Sequence, residues 1–491
     1  MLGLSFGRAI SVVAAEDPDR PAVTGWEPDG TQRMVTRAEL DAQTNRIARA
    51  WGAMGIGEGD FVSIALPNSV AFIEAAIAAW KLGAVPQPLS ARLPAHERSE
   101  IVELADSKLI VGAEAETHPN RRVLPLGWVP DQSISDAELP DRVSPSLRAM
   151  TSGGSTGRPK LIVHGQPAIL DLAVTDRFRV TRDGCHVVPG PLYHAAPFAF
   201  SVFGVALGNH LVILPRFDAD ATLRAIEEHH ATMVFVVPTM MLRIWRLGDE
   251  VRDRYDLSTV ETFWHAAAPC PDWLKADWIN WLGGDRVHEF YGGSETQALT
   301  FISGDEWLEH RGSVGRCLIG EMKVVDPDTG TELPAGEVGE IFMRRDAQGT
   351  PSYRYLGSEA RTLPDHWESL GDMGAIDADG YVYLADRQTD MILAGGSNVY
   401  PAEVEAAIDE HPRVRSCAVI GLPDDDLGNL VHAIIQTDDG SPIDLGNLRA
   451  HLAERLVRYK IPRTFEFTGE ALRDDAGKLR RSALRAARVK H

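Results

Sequence analysis

Short apolar runs alternate with helix-patterned segments through much of the chain, and this alternation limits the fold more than any other feature. Residues 61–66 read as a strand closed by Pro67-Asn68-Ser69, 70–82 carry helical spacing, and 83–86 return to extended chain. The unit recurs as a strand at 211–214, a helix at 221–229 and a strand at 233–237 ended by Pro238; a further strand at 109–111 precedes a polar, proline-bearing segment to about 145. Strands joined by helical crossovers lie parallel, and the helices cover both faces of the sheet. The expected fold class is α/β, with mainly parallel sheets in a large N-terminal domain.

From 321 the pattern becomes that of a hairpin: 322–325, a turn at Asp328-Thr329-Gly330, then 338–343. This predicts a small β-rich subdomain that runs to the strand at 381–384. Beyond Asp386-Arg387 a region of α+β pattern follows, with helices at 401–409 and 445–456 and strands at 417–420, 431–436 and 465–467. It is long enough to fold as a unit. A boundary near 387–389 divides the chain into an N-terminal domain, 1–386, and a C-terminal domain, 387–491, and a chain of 491 residues exceeds what one core supports.

The formal net charge of −21 argues against nucleic acid, whose binding rests on basic patches. Cys185, Cys270, Cys317 and Cys417 form no Cys-x-x-Cys pair, so neither a zinc site nor a disulfide framework is expected, and a cytoplasmic location fits. The first fifteen residues read as an opening helix followed by polar Glu16-Asp17-Pro18-Asp19, not as a signal peptide. No window is long and apolar enough for a membrane span.

Chemistry concentrates in the stretch 151–160, Thr-Ser-Gly-Gly-Ser-Thr-Gly-Arg-Pro-Lys. Its glycines free the backbone N–H groups which, with Ser155, Thr156 and Lys160, can wrap a polyphosphate. A solvated Gly/Ser linker is the plainer use of such a stretch. A Walker P-loop is excluded, because Pro159 separates Gly157-Arg158 from Lys160 and Leu161 stands where Ser or Thr is needed.

The loop resembles the phosphate-binding loop of the adenylate-forming superfamily: acyl-CoA synthetases, peptide-synthetase adenylation domains and luciferases. Gly153 and Leu161 replace the family's usual Ser and Gly, and neither change removes a donor. The resemblance implies ATP-binding roles for Ser152, Gly153, Gly154, Ser155, Thr156, Gly157 and Lys160. Further motifs stand along the chain in family order. Tyr291-Gly292-Gly293-Ser294-Glu295, after a strand at 287–290, is similar to Tyr-Gly-x-Thr-Glu. It implies Tyr291 against adenine, Gly292 and Gly293 beside the ligand, Ser294 on the α-phosphate and Glu295 on magnesium. Ala266-Ala267-Ala268-Pro269 occupies the place of Gly-Gly-Ala-Pro, which lines the adenine and acyl sites. Leu370-Gly371-Asp372-Met373-Gly374 resembles Thr-Gly-Asp-Leu-Gly and assigns Asp372 to the ribose hydroxyls.

The stretch from Asp386 to Glu405 resembles the family's hinge motif over its full length. Arg387 is implied at ribose or phosphate, and Thr389 stands at the hinge where the family carries Asp or Lys. Gly395 and Gly396 would let a pantetheine arm pass. Near the C-terminus, Gly477-Lys478 matches the family's catalytic lysine, a cation that offsets charge in phosphoryl-type transfer. His194, at the aromatic motif, is implied beside the substrate carboxylate in an orienting role, with Phe198 and Phe200 shaping or simply packing around that pocket.

These motifs together imply an acid:CoA ligase. ATP and a hydrophobic or bulky acid would give an acyl-adenylate, and CoA would then displace AMP. Residues 304–307 and 312–316 most resemble actinobacterial ligases for bulky acids such as bile acids. A stand-alone amide bond synthetase, which passes the adenylate to an amine, is the alternative, as is an adenylation enzyme that loads a carrier protein. An inactive nucleotide-binding regulator would not need Lys478, Glu295 and Asp372 together. A homodimer is the expected assembly if the chain is not monomeric.

Overall fold

The computed structural model describes residues 3–27, 30–153, 159–387, 390–394, 397–424, 428–474 and 477–489. Its main sheet begins as the predicted parallel array. Pro21–Trp26, His210–Ile213, Cys185–Val188, Met233–Val236, Thr262–His265 and Val287–Tyr291 are hydrogen-bonded in that order, each parallel to the next. Crossover helices Ala195–Ala206, Ala219–Glu228, Pro238–Trp245 and Asp272–Leu282 return the chain between strands.

At Val287–Tyr291 the sheet changes character without breaking. Leu299–Ser303, Ser313–Ile319, Tyr381–Arg387, Trp367–Ile376, Gly339–Arg344 and Glu321–Val325 continue it, every pair antiparallel. The β-rich region expected as a subdomain of its own is thus the far half of the same sheet. Strand order is a long-range property that local patterning does not carry, so the hairpin 322–343 was legible and its attachment was not.

A smaller parallel sheet contains Val85–Pro88, Phe61–Ile64, Leu109–Val111 and Arg122–Leu124. Helix Val70–Lys81 packs on it, starting where Ser69 accepts from the Phe72 N–H at 3.3 Å and buried along its whole length. Burial on every side explains why its sequence is apolar all round. A third sheet, antiparallel, joins Ala149–Gly153, Pro159–His164 and Tyr353–Leu356. The C-terminal region has its own apolar core, in which Ile392, Val404 and Ile408 meet Val419, Val431, Ile435 and Leu448 between helices and the strands Ser416–Asp424, Gly428–Gln436 and Thr464–Thr468.

Candidate active site

The hairpin formed by Ala149–Gly153 and Pro159–His164 brings the glycine-rich stretch to a defined place, with Ser152 opposite Lys160 and Gly153 opposite Pro159. Gly154, Ser155, Thr156 and Gly157 lie outside the described residues, as does the Ser152 side chain. The Lys160 ammonium stands 4.1 Å from the centre of the Tyr355 ring and 3.7 Å from Glu295 Oε1. Tyr355 donates to that same oxygen at 2.6 Å. Burial, then the Glu295 charge, pushes the phenol well above its ordinary range, so Tyr355 remains a neutral donor. Glu295 is buried yet keeps company with a lysine, and its hard oxygen donors suit magnesium, which takes few protein ligands beside substrate phosphates. Sequence reading missed Tyr355; the signal available was Tyr353-Arg354-Tyr355, an alternation typical of a strand with one aromatic face.

Tyr291 ends its strand, and the backbone turns sharply at Gly292. A Cβ there would lie 2.3 Å from Leu299 Cδ2 and 2.7 Å from the Ala298 carbonyl, so only glycine fits. The Tyr291 hydroxyl donates to Asp372 Oδ2 at 2.8 Å, which joins the residue expected at adenine to the residue expected at ribose. Asp372 in turn faces Arg387 across the ladder; the Arg387 side chain lies outside the described residues. Ala266, Ala267, Ala268, Pro269, Gly293 and Ser294 line the same cleft. Ala267 holds a φ of +76°, a left-handed conformation that costs a residue with a Cβ about 1–2 kcal/mol.

Lys478 enters the cleft from the C-terminal region. Its N–H donates to Asp474 Oδ1 at 2.9 Å, and its carbonyl accepts from the Asp474 N–H at 3.0 Å, closing a tight loop through Gly477 at φ +74°. Gly477 abuts helix Pro238–Trp245: a Cβ would sit 2.5 Å from Thr239 Oγ1. At the other end of that helix Arg246 donates to the carbonyls of Asp409 and Arg415, both at 2.9 Å. One helix of the large domain therefore receives the small one at both ends.

His194 precedes helix Ala195–Ala206, and its Nε2 is shut away from solvent with no hydrogen-bond partner among the described residues. Burial, then the nearby Lys478 ammonium, depresses its pKa to about 3. It is a neutral imidazole beside a cation, able to donate to a carboxylate, and its charged form is too acidic to persist near neutral pH as a reservoir of protons. The structure corrects one assignment. Phe198 packs in the core against Trp80, at 5.9 Å, and Phe72, at 6.3 Å, while Phe200 and Ala199 reach the cleft. The helix is apolar all round, so its sequence does not show which face the cavity takes. Thr389, Gly395 and Gly396 lie outside the described residues. The cleft itself encloses about 2950 Å³.

Residues 10–353 match the family model described as AMP-binding enzyme, and residues 403–478 match that of the AMP-binding enzyme C-terminal domain. The chain belongs to the AMP-binding enzyme family. The enzyme is 32% identical to a feruloyl-CoA synthase of Amycolatopsis, over 95% of this chain and 96% of the relative. It is 29% identical to the long-chain-fatty-acid–CoA ligase FadD13 of Mycobacterium tuberculosis, over 95% of each. Among solved structures it superposes on the o-succinylbenzoate CoA synthetase of Bacillus subtilis in complex with an acyl-adenylate, with a TM-score of 0.83, 25% identity and full coverage of both chains. The amide bond synthetase McbA of Marinactinospora thermotolerans is similar too, with a TM-score of 0.80 and 26% identity over 99% of this chain and 100% of that one. The enzyme is an ATP-dependent, AMP-forming ligase of acyl-CoA synthetase type. Among the described residues no helix is long and apolar enough to cross a membrane.

Proposed function

We propose that this ligase activates an acid with a bulky, hydrophobic, ring-bearing body and passes its acyl group to CoA. The observation that carries this reading is the aromatic end of the cleft. Phe200 stacks on Phe235 at 5.1 Å, and Phe178 meets Phe290 edge-on at 5.6 Å; all four line the cavity, with Phe203 beside them. Trp264 and Phe301 back this wall. Such rings offer a flat, apolar surface that a two-carbon acid would leave largely unfilled.

In the first half-reaction a carboxylate oxygen attacks the α-phosphorus of ATP and pyrophosphate leaves. Lys478 offsets the charge on carboxylate and phosphate, neutral His194 orients the acid, and Tyr291 and Asp372 seat the nucleoside. Magnesium, held by Glu295 together with the nucleotide's phosphates, would supply electrophilic assistance at those oxygens. In the second half-reaction the CoA sulfur, having lost its proton, attacks the acyl carbon and expels AMP. We assign 1–386 to the adenylating domain and 387–491 to the domain that carries Lys478 in and out, pivoting at 387–389 with Gly395 and Gly396 beside the thiol's path. The four thiols are unpaired, which supports a reducing cytoplasm.

A screen of carboxylic acids for pyrophosphate release, with and without CoA, tests the reading. Aryl and polycyclic acids should give CoA-stimulated turnover well above that of acetate. Equal kcat/KM for acetate would overturn the acid assignment. Turnover indifferent to CoA and stimulated by amines would transfer the enzyme to the amide-forming class.

A further inference from the structure

Among the described residues, buried cations are neutralised with one exception. Lys275 pairs with Glu289 at 2.5 Å, Lys81 with Asp41 at 2.6 Å and Arg37 with Asp183 at 2.5 Å. Arg148 is only 6% exposed, and among the described residues its guanidinium donates to a single carbonyl, that of Ala195, from Nη1 at 2.7 Å. No carboxylate among the described residues lies within ion-pair distance of it. Burial alone draws its pKa down to about 10, without an opposing charge to hold it up. An unpaired guanidinium inside a protein is costly, and such groups persist where something else completes them.

The surroundings indicate a ligand. Arg148 immediately precedes the strand Ala149–Gly153, and alternation sets its side against that of Ala149. Ala149 packs with Val85 and Val163 in the core, whereas Arg148, Met150, Ile162 and His164 all line the cleft. His164 is pushed down to about 4 by burial and then by Arg148, so it is neutral. Its Nδ1 lies 3.2 Å from the Gln166 carbonyl and 3.3 Å from the Gln166 N–H, so one ring nitrogen is held by the backbone while the ring lines the cleft. A cation and a neutral imidazole thus share one wall of the substrate cavity.

We propose that Arg148 anchors a second anionic group, a carboxylate, on the acid that the enzyme activates. The proposal rests on the acid-activating reading above and names what its substrate carries besides the reacting carboxyl. The reacting group has its own expected partners, Lys478 and His194, both on the cleft. It also loses its charge on adenylation, so it could not neutralise Arg148 through both half-reactions. A second carboxylate keeps its charge throughout. Its contact with Arg148 is the same in ground and transition states, so it acts on KM and not on kcat.

The test pairs aryl alkanoic acids that bear a second carboxylate with their monomethyl esters at that position. Wild type should favour the diacid member of the best pair by about 10- to 100-fold in kcat/KM, the difference residing in KM. In Arg148→Met the preference should collapse, and in Arg148→Lys part of it should survive. Independently of turnover, the diacid should raise the melting temperature of the ATP-free wild type and not of Arg148→Met. A wild type that favours the esters throughout, or a diacid that stabilises both proteins alike, would overturn the proposal. If no acid releases pyrophosphate, the acid-activating reading fails, and the melting shift still decides whether Arg148 holds a carboxylate.

Discussion

Tyr291 and Asp372, eighty-one positions apart, are joined by a hydrogen bond of 2.8 Å from phenol to carboxylate. The bond fixes both ends of the expected nucleoside site before ATP arrives, so binding has less to order. Tyr291→Phe keeps the ring and removes the donor, and should raise KM for ATP about fivefold, the equivalent of about 1 kcal/mol, with kcat little changed. Asp372→Ala should cost more, because it also removes the acceptor for ribose. Initial rates of pyrophosphate release against ATP concentration decide this, and a Tyr291→Phe enzyme with unchanged KM would show the bond to be idle.

Lys478→Ala should lower adenylation at least a hundredfold while sparing thioester formation from a supplied acyl-adenylate. Arg246 makes a subtler case, since it touches only the docking of the small domain. Loss of its contacts to Asp409 and Arg415 should slow adenylation about tenfold and leave the thioester step intact. Gly477→Ala should act in the same direction, by pushing on Thr239 and by straining a φ of +74°. Pyrophosphate exchange and conversion of synthetic adenylate by CoA report the two halves separately. Equal losses in both assays would mean that these residues merely hold the fold.

What the sequence disclosed and what it withheld divide along a physical line. The strand at 61–66, the helix at 70–82 and the helix at 401–409 appear as Phe61–Ile64, Val70–Lys81 and Pro401–Asp409, because period and end signals are local. Lys160, Ala267, Tyr291, Glu295, Asp372 and Lys478 could be picked out by motif, and the structure gathers them round one cleft. Tyr355, Arg148 and Arg246 could not. Each belongs to an unremarkable segment and matters only through a neighbour brought close by folding: Glu295, an empty charge environment, or the carbonyls of Asp409 and Arg415. That Phe198 turns into the core while Phe200 lines the cleft was hidden for the same reason, a helix whose apolar residues give no facing.

Acid should weaken the protein through its histidines. His186 and His194 have folded pKa values near 3, with burial the leading cause, against an ordinary value of 6.5. Below pH 6.5 the unfolded chain takes up protons that the native state refuses, so stability is full above that pH and falls as the medium becomes more acid, down to about pH 3. Each such histidine contributes a loss of about 2 kcal/mol at pH 5 relative to pH 8. Urea unfolding midpoints at the two pH values measure it. A midpoint that does not move would contradict neutral burial of these rings.

Ala267→Gly should relieve the strain at φ +76°. The gain of about 1–2 kcal/mol is partly offset by the greater freedom of glycine in the unfolded chain, about 0.4–1 kcal/mol, which leaves a net stabilisation of at most about 1.6 kcal/mol. Denaturant titration gives the sign. A destabilised variant would imply that the methyl group is a needed packing contact of the cleft wall.

Asp372 and Arg387 sit on the same rung where Trp367–Ile376 pairs with Tyr381–Arg387. The carboxylate that would hold AMP is therefore anchored one ladder step from the residue at which the chain leaves the large sheet. A nucleotide held there would steady that exit, and its departure would slacken it. With the proposed pivot at 387–389, product release and domain return would be coupled, timed by a single pair of strands.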